Sequence, residues 1–195
     1  MALKNSYVTS DRLDWDTATN LVRRLFINKE YRMSLFVGCG IFFGLRVSDL
    51  KQLTWRMLLE GESFVLIETK THKRREIAIN KLFQQHVRDC FQALKITNMD
   101  EHCFISQKGS VFSTQRINMK LKEIKKMYRI KIEHFSTHSL RKTFGYQVYL
   151  TSGENAEIAL IKLMELFNHS NVAITKRYLG LRQEELASCY SMLTF

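Results

Sequence analysis

The stretch FNHSNVAITKRYLG (167 to 180) sets His169, Lys176 and Arg177 near Tyr178. A phenol with a pKa of about 10 attacks poorly unless its proton is removed or its oxyanion is stabilised, and positive neighbours do the latter. The same stretch also suits a packed aromatic whose hydroxyl reaches the surface, with Ala173 and Leu179 packed around it. In THSLRKTFG, His138 and Arg141 stand three apart, on one side of a helix. An arginine fork clamps two oxygens of one phosphate, and a histidine beside it donates to a third or moves a proton near neutral pH. A surface arginine with a capping histidine has the same spacing. GLRVSDL (44 to 50) adds Arg46, either a solvated hinge between two helices or a guanidinium aimed into a cleft, with Asp49 three residues on to hold it or pack the turn. ETKTHKRREIAI supplies Lys70, then Lys73, Arg74 and Arg75 in a basic turn. Such a turn is either solvated or reaches the backbone of DNA.

Singly these signals are weak; jointly they describe one reaction. Two arginines and an imidazole neutralise charge developing on non-bridging phosphate oxygens. A lysine protonates the departing 5′ oxygen. Tyrosine attacks phosphorus and keeps the strand in a covalent 3′-phosphotyrosyl link. This chemistry needs no cofactor and no metal, and the chain shows no carboxylate-rich constellation of the kind a two-metal nuclease uses.

Helices and one small sheet must position these groups. WDTATNLVRRLF predicts a helix starting near Asp14 or Asp16, with Ala18, Leu21, Val22 and Leu25 inward. Further helices are predicted over about 31–43, from Val47 or Ser48 with Leu50 and Leu53, and over 81–94 with Leu82, Val87, Cys90, Phe91 and Leu94 on or near one face. Others follow over 113–128, 139–150, 155–167, a short one ending near Tyr178, and 183–193. SFVLIET (63 to 69) and REIAIN (75 to 80) read as strands flanking the basic turn. Proline is absent, so helices run without their commonest breaker.

Thirty Lys and Arg against 19 Asp and Glu give a formal charge of +11, which favours a polyanionic partner, nucleic acid first and an anionic membrane surface second. Lys120 and Lys125 lie in the densest basic run, STQRINMKLKEIKKMY, and with Lys142, Lys73, Arg74 and Arg75 they are the candidate DNA contacts. MSLFVGCGIFFGL (33 to 45) is too short to span a bilayer, and the N-terminus shows no apolar signal-peptide core, so a cytoplasmic protein is expected. Four dispersed cysteines without a CxxC pair argue against structural zinc and a disulfide framework.

In order and spacing these motifs resemble the catalytic domain of the tyrosine recombinases, the phage integrase family. GLRVSDL is similar to the first motif, with Arg46 as first catalytic arginine and Asp49 as its structural support. Lys70 matches the hairpin lysine, His138 and Arg141 the histidine and second arginine, His169 the position held by His or Trp, and Tyr178 the nucleophile. The resemblance implies a mainly α fold with a small antiparallel β-sheet (α+β), three-stranded in the family. It implies DNA recombination or integration by breaking and rejoining double-stranded DNA, with self-association into a four-protomer synapse and no membrane partner. Residues 1–182 would form the catalytic domain and 183–195 a tail that docks on a neighbouring protomer. Only about a dozen residues precede the first helix, so the family's N-terminal core-binding domain is expected to be absent. A mobile-element enzyme is the favoured role. A type IB topoisomerase and a non-catalytic DNA-binding module that modulates a full-length relative are the alternatives.

Overall fold

The computed structural model describes residues 10–181, which divide between two compact units, Met1–Phe144 and Gly145–Phe195. In the first, α1 (Trp15–Ile27) begins where the Asp14 carboxylate accepts the Thr17 N–H at 2.8 Å, and it buries Ala18, Leu21, Val22 and Leu25. It packs on α2 (Tyr31–Phe43), which is apolar nearly all round and forms the centre of the core. α2 stops at Gly44, a left-handed residue with φ 58°, where a Cβ would run into the Phe144 ring.

Two short helices, α3 (Val47–Leu50) and α4 (Trp55–Leu59), lead into the hairpin of β1 (Ser63–Ile67) and β2 (Arg74–Ala78), paired antiparallel from Ser63↔Ala78 to Ile67↔Arg74. α3 is shorter than expected: Leu53 falls beyond it, buried in the core all the same. α5 (Lys81–Ala93) packs on α2 and α4, and α6 (Thr114–Met127) buries Ile117, Leu121 and Ile124. The face of α5 is rotated from expectation. Phe83, Val87 and Cys90, spaced four and three, point inward, whereas Leu82 is 85% exposed because it lies five residues, about 140° of helix, from Val87.

Among the described residues the sheet has two strands, not the three implied by the family. The chain after α5 forms only isolated bridges, Thr54↔His102 and Ile105↔Val111, too short for a third strand. α7 (Thr137–Thr151) carries the chain into the second unit. There a 3₁₀ turn (Gly153–Asn155), α8 (Ala156–Phe167) and α9 (Val172–Leu179) follow, with α9 packed on α8. Asn168 ends α8 in the left-handed region, and the Asn171 side chain caps α9 by accepting the Ile174 N–H at 3.0 Å. Ala173 is exposed; Thr175, four residues before Leu179, takes the inward position instead. The helix expected over 183–193 and the docking tail lie outside the described residues.

Candidate active site

Arg46 occupies the N-cap of α3, directly after the loop that ends α2. Its guanidinium donates to the Glu68 carboxylate at 3.0 Å. The Arg75 guanidinium forms an ion pair with the other Glu68 oxygen at 3.1 Å, and the Thr71 hydroxyl donates at 2.6 Å. Glu68 is 1% exposed. Burial pushes its pKa up, but the Thr71 hydrogen bond and the Arg75 and Arg46 charges outweigh that and hold it below the usual glutamate value. Asp49 is also buried; it accepts the Thr69 N–H at 2.8 Å and so joins α3 to the end of β1. Gln52 donates to the Thr69 hydroxyl at 2.8 Å. Lys70 follows, exposed at the start of the hairpin turn, in which His72 takes a positive φ of 56°.

Arg141 comes to the same loop from 97 positions away. It is 5% exposed, and its guanidinium donates to the carbonyl of Gly44, two residues before Arg46. His138 sits one turn earlier on α7, on the exposed side. Its pKa is drawn below the ordinary histidine value, first by the solvent that the surrounding protein displaces and then by the Arg141 and Lys142 charges. The first unit thus brings Arg46, Asp49 and the Lys70 hairpin together through side-chain bonds, and Arg141 to the backbone of the Arg46 loop.

In the second unit His169 and Tyr178 meet. Their ring centroids are 5.3 Å apart and edge-on, and Phe167 lies edge-on to both, at 5.6 and 5.4 Å. His169 Nδ1 is 3.0 Å from the Thr175 hydroxyl, which orients the imidazole. Lys176 pairs with Glu157 at 3.3 Å, tying α9 to α8.

The candidate DNA contacts divide. Lys73 and Arg74 are exposed on the hairpin, while Arg75 turns to Glu68. Lys120 and Lys125 are half-buried on α6, and Lys125 donates to the Glu133 carbonyl at 2.7 Å. Lys142 donates to the Ser10 carbonyl at 2.7 Å; burial lowers its pKa, with Arg12 adding to this and Asp11 opposing it.

Two partners went unread in the sequence. Glu68 continues the inward alternation of Phe64 and Leu66, so a charged residue on the buried face of β1 was the available signal. Thr175 shares the inner face of α9 with Leu179 by four-residue spacing.

The phage integrase family model matches residues 14–185. The chain belongs to the phage integrase family. A probable integrase/recombinase, YoeC of Bacillus subtilis, is 27% identical over 179 residues, covering 88% of this chain and 90% of that protein. Tyrosine recombinase XerC of Alcanivorax borkumensis is 28% identical over 90% of this chain but only 55% of its own length. The family fold extends to the structure of XerH bound to a palindromic difH substrate in a post-cleavage complex. That chain superposes with a TM-score of 0.67 at 18% identity, covering 96% of this chain and 56% of XerH. The chain therefore spans nearly all of one family relative and about half of the other two. No helix among the described residues is long and apolar enough to cross a membrane.

Proposed function

We propose that this integrase-family chain cuts and rejoins DNA strands at specific sites through Tyr178, as an intracellular DNA-associated protein. The observation that carries the reading is Arg141, buried and held on the Gly44 carbonyl, which brings a second arginine to the loop of Arg46. Two guanidiniums so placed can meet the negative charge that builds on phosphate oxygens during displacement. Tyr178 Oη forms the bond to phosphorus as the bond to the 5′ oxygen breaks. Lys70 protonates that oxygen, and a base at the site takes the phenol proton. The reverse attack by a 5′ hydroxyl restores the phosphodiester, so the bond energy is conserved and ATP is not consumed.

His138 and His169 supply further donors to the non-bridging oxygens in this scheme. Lys73, Arg74, Lys120, Lys125 and Lys142 contact the DNA backbone, Asp49 supports the Arg46 loop, and four protomers assemble on two duplexes through the segment after residue 182. The relatives named integrase and recombinase favour recombination over supercoil relaxation; a mobile element is the role we favour for it.

A nicked duplex that loses a short fragment on cleavage traps the intermediate. Incubation with such duplexes from the DNA flanking the gene, followed by a denaturing gel, should show a protein band shifted by the attached strand. A chain that binds these duplexes but leaves no attached strand, even with a DNA-clamping domain fused before residue 1, is a binding module instead.

A further inference from the structure

Glu68 belongs to none of the six catalytic positions, yet its buried carboxylate meets two arginines and a threonine beside them. A buried carboxylate is costly unless its oxygens are paired. Here one oxygen takes both the Arg46 guanidinium, at 3.0 Å, and the Thr71 hydroxyl, at 2.6 Å. The other faces Arg75 at 3.1 Å. The backbone of the same residue closes the turn: its N–H donates to the Lys73 carbonyl at 3.0 Å, and its carbonyl accepts the His72 N–H at 2.9 Å. One residue therefore holds Arg46 by its side chain and the base of the turn that carries Lys70 by its backbone.

Resting on the reading of Arg46 and Lys70 as members of the active site, we propose that Glu68 is a positioning residue that fixes the first arginine and the lysine hairpin relative to each other. Its chemistry suits that task. A glutamate in place of a neutral residue gives Arg46 a charged partner that fixes the plane of its fork. Because Arg75 pairs with the same carboxylate, Glu68 and the two arginines keep a net positive charge toward a phosphate. Asp49 does a complementary job from α3, holding the Thr69 N–H on the opposite side of Lys70 from Thr71. Thr69, Lys70 and Thr71 are thus anchored at both ends by carboxylates, while Lys70 stays exposed between them. Loss of the Glu68 clamp displaces the arginine and the hairpin together, and a misplacement of about 1 Å in such a site costs on the order of 10²-fold in rate.

The test uses Glu68→Gln, which keeps the size and removes the charge, with Glu68→Asp and Arg46→Ala alongside. Single-turnover attachment to a nicked duplex is read at saturating DNA, and DNA affinity separately. Glu68→Gln should slow attachment on the order of 10- to 100-fold at unchanged affinity, with partial recovery in Glu68→Asp. In an Arg46→Ala background the same substitution should slow it by a clearly smaller factor, because the part that runs through Arg46 is already lost and only the part through the Lys70 hairpin remains. An undiminished effect in that background, or an unchanged rate in the single variant, overturns the proposal. Amide hydrogen exchange of the free protein reads the clamp without any cleavage. Glu68→Gln should speed exchange across 68–75 while α1 and α5 keep theirs. Wild-type protein that attaches no DNA removes the catalytic reading, and unchanged exchange across 68–75 removes the clamp, so the two failures are told apart.

Discussion

In the first unit Arg46 and Arg141 are oriented by a buried carboxylate and a backbone carbonyl, whereas in the second Tyr178 lies edge-on to the rings of Phe167 and His169. Ionic and charge-assisted bonds fix direction, setting each guanidinium in place before a phosphate arrives. Ring edges fix place by shape. The division matches the tasks proposed for the two groups. Charge stabilisation gains most from preorganised dipoles that need no rearrangement during reaction. A nucleophile has to change partners as its bond to phosphorus forms and breaks. The comparison therefore expects the two regions to fail differently when altered.

The largest effect is expected at the ring side. Tyr178→Phe should abolish covalent attachment to DNA while DNA affinity and thermal stability stay almost unchanged, since the ring contacts remain. A denaturing gel of the trapped complex reads the first, and a binding titration with a melting curve the second. Attachment that survives moves the nucleophile elsewhere, with Tyr190 next. On the charged side, Arg141→Ala should slow attachment about 10²- to 10³-fold, as the loss of one oxyanion donor does. It should also cost about 1–3 kcal/mol in stability, because the Gly44 carbonyl loses its buried donor. Stopped single-turnover assays and urea unfolding check the two parts. A rate equal to wild type takes Arg141 out of the site, whatever happens to stability.

That contrast was only half legible in the sequence. The six catalytic candidates were readable because Arg, Lys, His and Tyr at those spacings have few joint uses, and α2 because nearly every residue from 31 to 43 is apolar and no glycine in it has to take a positive φ. What held the candidates was harder to see. Glu68 comes one residue after β1, and a charge there reads as solvated unless the phase of Phe64 and Leu66 is followed one step further. Leu82 and Phe83 are adjacent and both apolar, so composition alone did not choose between them; the spacing to Val87 and Cys90 did. α4, with five residues, is too short to show a helical period. The ring cluster depends on α9 folding back on α8, a tertiary fact without a local signal.

Gly145→Ala probes the ring side through packing, with no change to a functional group. An added Cβ would lie 2.7 Å from the Phe167 ring and 2.8 Å from a Leu179 methyl, closer than carbon atoms pack. Overpacking of this kind costs about 1–3 kcal/mol, which for a chain of this size lowers Tm by about 2–4 °C per kcal/mol. Because Phe167 carries the contact on to Tyr178 and His169, the attachment rate should fall more than DNA affinity does. An unchanged Tm would show that the ring cluster is loosely packed.

The smallest effect separates the two regions by pH. Glu68 has a folded pKa below its unfolded value of about 4.5. The stability it contributes is therefore complete above that value, and it is lost as pH falls through the lower, folded pKa. Urea midpoints measured from neutral pH downward should fall below about pH 4.5 more steeply in wild type than in Glu68→Gln, which has no such proton to take up. Tyr178→Phe should follow the wild-type acid limb, since it leaves the carboxylate and both of its arginines in place. His86 adds a separate slope at higher pH: burial lowers its pKa, Asp89 opposing, so its share of stability is complete above about 6.5 and fades on acidification in both proteins. The discriminating region is thus the acid end alone. Parallel curves for wild type and Glu68→Gln there would mean that the carboxylate is no better stabilised in the folded chain than in the unfolded one, and the charged frame around Arg46 would lose its distinction from the ring side.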